Sequence, residues 1–177
     1  MTPEMFQDAL CEELRKLLKG RKYKKPPKEP EETEFEEDED MKEKLVEEPE
    51  MVEITVYPQN IPVPLSGEEE YNPVPYIIVR LNNGTDDNTS DSKYIIKVVV
   101  ILGIWEDNKN AQGHRELLNI INLIYERFKK NPCLDKKYVY EGGFKWDIQE
   151  DGYYPYYFGA CEMNFAIPAI RREDDFV

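Results

Sequence analysis

The period of apolar and polar positions changes several times along the chain, and each change predicts an element. From Phe6 the apolar residues recur at Leu10, Leu14, Leu17 and Leu18, one face of a helix. Thr2, Pro3 and Glu4 supply a capping hydroxyl, a proline for the first helical position and an acid beside the positive end of the dipole. Gly20 closes the segment. Such a helix is expected to pack on its own domain, the other use being a helix lent to a neighbouring subunit. MVEITVYPQ then alternates strictly, with Val52, Ile54 and Val56 opposed to Glu53, Thr55 and Tyr57, and predicts a half-buried strand ended by Pro58. After a proline-punctuated loop, Val74 to Leu81 alternates again and predicts a second strand. NNGTDDNTSDS reads as the tip of a hairpin.

The block from Lys93 to Phe128 is the strongest signal. Ile95, Ile96, Val98 to Leu102 and Ile104 leave almost no polar alternation, so this strand is covered on both faces or central in its sheet. The loop EDNKNAQG leads into a helix with Leu117, Leu118, Ile121, Ile124, Tyr125 and Phe128 on one wide stripe, stopped at Asn131-Pro132. Burial of such a face contributes about 1.5–3 kcal/mol for each large side chain. Two strands follow: Tyr138 to Gln149, with a bulge or tight turn at Gly142-Gly143, and a last strand with Cys161, Met163, Phe165 and Ile167 opposed to Glu162 and Asn164. The order is α, tether, β, β, β, α, β, β, without internal repeats. It predicts an α+β domain: a mostly antiparallel sheet of about four to five strands, with one long helix and the N-terminal helix packed on it.

Charge changes this picture in one place. The net charge is −14 and charged residues make up 34% of the chain, values that suggest an acidic, partly disordered protein. Arg15 to Lys28, however, carry eight basic groups and no acid, whereas Glu29 to Glu50 carry thirteen acids against two lysines. That second run accounts for most of the net charge, and the chain from Met51 onward has the composition of a globular domain. The expected organisation is a helix over 1–20, a charged tether or extended arm over 21–50, a core domain over 51–170 and a polar tail over 171–177. Like charges extend the arm, and prolines 26, 27, 30 and 49 exclude a continuous helix. Cys11, Cys133 and Cys161 are too dispersed for a CxxC site and fit reduced thiols. No secretory leader or membrane span is expected, which points to a protein made and assembled inside a cell.

Catalytic patterns are sparse. His114 has no second histidine or nearby cysteine for zinc. Ser66, Ser90 and Ser92 lack a nucleophile elbow, and no glycine-rich loop has phosphate-binding spacing. Asp86, Asp87 and Asp91, or Glu106-Asp107 at the end of the central strand, are the carboxylates that a small magnesium-dependent nuclease would use. The basic block at 15–28 adjoins a larger acidic one, and a chain of this charge repels duplex phosphate. An acidic module mimicking nucleic acid would rest on Glu29–Glu50 alone. The aromatic cluster around Pro155, with Tyr153, Tyr154, Tyr156, Tyr157 and Phe158, suits either a core rim or a protein interface. No cofactor, metal or catalytic residue is assigned.

Taken in order, ITVYPQ, PVPYIIVRL, VVVILGIWEDNKNAQGHRELLNIINLIYERFKKNPCL and YYPYYFGACEMNFAIP resemble the tail terminator (tail completion) proteins of tailed phages and prophages of Gram-positive bacteria. The resemblance spans about residues 51–168, and the N-terminal helix fits it; the charged stretch at 20–50 departs from it. It implies a non-enzymatic virion protein of the tail and neck. Such a subunit forms an oligomeric ring, typically a hexamer, on the head-proximal end of the tail tube, ends tube polymerisation and makes the head–tail joint. Implied partners are further copies of the chain, the tail tube protein and head-completion or connector proteins, with genomic DNA passing through the ring and no membrane. Assembly would take place in the host bacterial cytoplasm. Arg80, Trp105, Arg127, Tyr156 and Tyr157 are the expected interface residues. Another neck component is the nearest alternative, and the nuclease is the alternative of a different class.

Overall fold

The computed structural model describes residues 2–27, 49–63, 72–86, 93–149 and 153–168. Helix α1 spans Pro3–Leu18, and the Thr2 hydroxyl accepts a hydrogen bond from the Met5 N–H at 3.3 Å, as the cap requires. Eight strands follow, β1 (Lys22–Lys24), β2 (Met51–Glu53), β3 (Thr55–Pro58), β4 (Tyr76–Thr85), β5 (Tyr94–Trp105), β6 (Cys133–Leu134), β7 (Tyr138–Ile148) and β8 (Tyr156–Ile167). Helix α2 (His114–Lys130) lies between β5 and β6.

The sheet departs from expectation in size and sense. Six strands form one curled, mixed sheet in the order β3-β4-β5-β8-β7-β6, in place of the mostly antiparallel sheet of four to five strands. The additional pairing of β3 with β4 is parallel, with Val56 beside Ile77, while β4–β5, β5–β8, β8–β7 and β7–β6 run antiparallel. Side-chain alternation is the same in parallel and antiparallel strands, so the pattern carried no information on direction. The single strand expected over MVEITVYPQ is also divided. β2 pairs with β1 in a separate two-stranded sheet, and β3 joins the large sheet. Ile54 and Val56 are buried on either side of that change of partner, so alternation runs through it unbroken.

β1 lies in the stretch expected to be a tether. Lys24 pairs with Met51, the Lys25 N–H donates to the Glu50 carbonyl at 2.8 Å, and the Lys25 ammonium lies 3.5 Å from the Glu50 carboxylate. The chain thus leaves and re-enters through a paired antiparallel stem. Residues 28–48, which hold nearly all of the acidic run, lie outside the described residues, as does the tail from 169 onward.

Both helices cover one face of the large sheet. α1 contacts β3 and β4 at one edge and β6 at the other, so the sheet curls around it. Phe6 occupies the middle of this core, with its ring 5.2 Å from Tyr138 and 5.1 Å from Phe165, and Phe165 meets Phe128 of α2 edge-on at 5.1 Å. Leu10, Leu14, Ile77, Val79, Val98, Val100, Ile120, Ile124 and Met163 complete it, all fully buried. β5 is central, as its apolar run required, and only its core face is covered by the helices. The bulge expected at Gly142-Gly143 is present: the register of β7 on β8 shifts there, and both glycines have positive φ (+92° and +71°).

Candidate functional site

The face of the sheet turned away from the helices is built by register. β5 contributes Ile95, Lys97, Val99 and Ile101, all half-buried, and β8 contributes Ala160, Glu162, Asn164 and Ala166. Two rows cross it: Arg80, Val99, Glu162 and Lys145, then Ile78, Ile101, Ala160 and Asp147. Lys97 and Glu162 form an ion pair at 2.8 Å, and beside it lies a shallow groove of about 590 Å³. An apolar floor with charges of both signs on it is suited to holding a protein surface, because the charges orient the partner and the floor rewards its burial.

Three of the five expected interface residues lie on this outer face, but only Trp105 and Tyr156 are neighbours; Arg80 sits beside Val99, six residues along β5 from Trp105. Arg80 donates to the Gln59 carbonyl (3.4 Å) and the Asn60 side chain (3.3 Å). Trp105 stands opposite Tyr156 across the β5–β8 ladder. Tyr156 stacks on Phe158 with rings nearly parallel and 6.4 Å apart, and its hydroxyl accepts from Asn72 at 3.0 Å. Trp105 is 8% exposed and, with Val74 and Ile78, is buried outside the main core. The aromatic end of the outer face is therefore already largely closed within one chain.

The other two lie elsewhere. Tyr157 belongs to the core face of β8, and its ring packs so closely on Gly113, at the start of α2, that a Cβ there would come within 2.3 Å. Its hydroxyl is buried without a hydrogen-bond partner among the described residues. Arg127 works inside the chain. Its guanidinium pairs with Glu13 of α1, donates to the Asn131 and Cys133 carbonyls and lies 5.1 Å from the centre of the Phe128 ring. It joins the two helices and the β6 turn.

Of the carboxylates weighed as metal ligands, Glu106 and Asp107 are already engaged by a side chain of the same chain. Glu106 and Asp107 clasp the Lys24 ammonium, with 2.8 Å to Asp107, and the Tyr154 hydroxyl donates to the Asp107 carbonyl at 2.8 Å. A lysine from β1 thus supplies the positive charge that a cation would bring, and its hydrogen bonds to Asp107 and Glu106 hold its pKa above the ordinary 10.5. Asp86 is the last described residue of its segment, whereas Asp87 and Asp91 lie outside the described residues. No cluster of three or more potential metal ligands occurs among the described residues. Burial pushes the thiols of Cys11 and Cys161 up to about 11 and about 12, which keeps both protonated and unreactive at neutral pH; Cys133 is exposed. His114 opens α2.

Two features were not anticipated from the residue pattern, the Lys24 clasp and the free edge of β7. The clasp joins residues 82 and 83 positions apart, a separation no local pattern reports. On β7 the alternation was legible, but that β6 covers only its first residues, leaving the edge beyond Tyr140 without a strand among the described residues, is a property of topology. No protein-family model matches the chain, and no curated protein matches it in sequence. No helix among the described residues is long and apolar enough to cross a membrane.

Proposed function

We infer that the chain is a structural subunit of a phage neck. It caps the head-proximal end of the tail tube as an oligomeric ring, hexameric in its expected form, and joins tube to head without catalysing a reaction. The observation that carries this reading is the ordered set of phrases resembling tail terminators. Those phrases fall on β3, β4, β5 with α2, and β8, which are contiguous in one sheet and its covering helix. The half-buried outer face supports it as well, because a ring subunit needs faces for neighbours, tube and head-completion or connector proteins. An acidic ring would let genomic DNA pass by like-charge repulsion.

The reading is tested by deleting the gene from its phage and imaging the tails. Overlong or headless tails are expected, and normal-length tails joined to heads overturn it. Purified chain added back to mutant lysates should restore joining. For the nuclease alternative the Lys24 clasp is unfavourable, since an ammonium already pairs with both Glu106 and Asp107 and offsets half of their charge.

A further inference from the structure

Beyond Tyr140, among the described residues, β7 has a partner only on its β8 side, because β6 spans only Cys133 and Leu134. The Gln149 N–H bonds to the Phe158 carbonyl, so by antiparallel alternation Lys145 and Asp147 direct their backbone groups toward β8. The Trp146 and Ile148 groups and the Phe144 carbonyl then point to the free edge, while the Phe144 N–H, at the bulge, donates to the Tyr140 side chain. The side chains follow the same alternation. Phe144, Trp146 and Ile148 lie on the helix-covered face, Lys145 and Asp147 on the outer face, and Trp146 is 56% exposed although it shares a face with the core. An open edge carrying an exposed tryptophan is a template for another strand.

We propose that this edge pairs with the same edge of a second copy, antiparallel and about a two-fold axis at Trp146. The sequence around the axis is self-complementary. Lys145 falls opposite Asp147 of the second copy, and Asp147 opposite Lys145 of the second copy. Trp146 meets its twin, and Phe144 meets Ile148 of the second copy, so every apolar residue faces an apolar one on the helix side. The backbone agrees: the Trp146 groups point outward and exchange hydrogen bonds across the axis, and the Ile148 N–H reaches the Phe144 carbonyl of the second copy. Slipping the register by two residues sets Lys145 against Lys145, or Asp147 against Asp147, so like-charge repulsion selects one alignment. The contact joins two six-stranded sheets into one. Being isologous it closes on itself, and it is a second contact beside any ring interface, which must be heterologous.

Sedimentation of the full chain over a concentration series tests this. The wild type is expected to show a monomer–dimer equilibrium. Lys145→Asp alone and Asp147→Lys alone each place like charges across the axis, and each should weaken the dimer by about tenfold or more. The double exchange Lys145→Asp/Asp147→Lys restores opposite charges and should restore the dimer. Hydrogen exchange at the Trp146 and Ile148 amides should slow as the dimer forms. Unfolding midpoints of the variants, compared with wild type, show that each is folded. A chain monomeric at every concentration, or an oligomer indifferent to these exchanges, overturns the proposal. A hexamer indifferent to them overturns it while leaving the ring reading standing.

Discussion

On β5, Ile96, Val98, Val100, Leu102 and Ile104 are buried in one core with both helices, while Ile95, Val99 and Ile101 on the opposite face stay half-exposed. The side chains are nearly the same, so hydrophobicity did not choose between the faces. What chose was the cover. α1 and α2 each carry one apolar stripe, and both stripes were spent on the same side of the sheet. The outer face is left with β-branched residues that shape the strand and a few charges that keep it in solution. An apolar run of this kind fits a strand covered on both faces or central in its sheet. β5 is central, and its outer face over Ile95 to Ile101 is only half-covered among the described residues, which leaves surface available to other molecules.

Mutations can break or sharpen that comparison. The largest effect is expected at the centre of the covered face. Phe165→Ala removes the ring shared by Phe6, Phe128 and Tyr140 and should lower the unfolding free energy by about 3–5 kcal/mol in urea titrations. A loss below about 1 kcal/mol would mean that the helices do not pack where described.

A paired truncation sharpens the contrast between faces. Val100→Ala should cost about 2 kcal/mol and Val99→Ala about 0.5 kcal/mol, although the two residues are adjacent and alike. Equal costs would show that the outer face is covered in solution.

A smaller effect is expected at the stem. Lys24→Met leaves Glu106 and Asp107 side by side without their cation and should cost about 1 kcal/mol. The Lys24 pKa is raised on folding, so the clasp stabilises fully at neutral pH and loses its contribution as pH rises above 10.5. Alkaline unfolding of Lys24→Met should therefore lack that component. The smallest effect is expected from exchanging residues 28–48 for a short Gly-Ser turn, because β1 and β2 are already paired at its base. The unfolding free energy should stay put or rise, by at most about 1 kcal/mol, since a shorter loop costs less to close. Loss of folding would show that the charged run is part of the core.

Much of the scaffold is legible in the sequence. The Thr2 cap, the α1 and α2 stripes, the glycine bulge and the alternation of β8 are local, each set by residues within a turn or two. The interface candidates were less so. Arg80, Trp105 and Tyr156 share the outer face because of the register of β4, β5 and β8, with only the two aromatics adjacent, whereas Arg127 and Tyr157 turn inward. A tyrosine one position along a strand changes face, and an arginine on a helix finds a carboxylate on another helix. Neither fact is written in the residue type.

The sequence by itself determined both helices and the long strands β4, β5, β7 and β8, which side of each is apolar, and that the acidic charge sits in one run ahead of the core. These follow from short-range periodicity, capping and composition. The short strands β1 and β6, and the division of β2 from β3, were not determined in this way. The tertiary structure decided that β3 runs parallel to β4 and that β1 and β2 close a stem under the charged run. It decided too that Lys24 occupies the carboxylates after β5, and that, among the described residues, much of one face and the β7 edge beyond Tyr140 are left uncovered. Each depends on contacts between residues far apart in the chain, where chain closure and competition for buried surface choose among partners that the local pattern leaves equal.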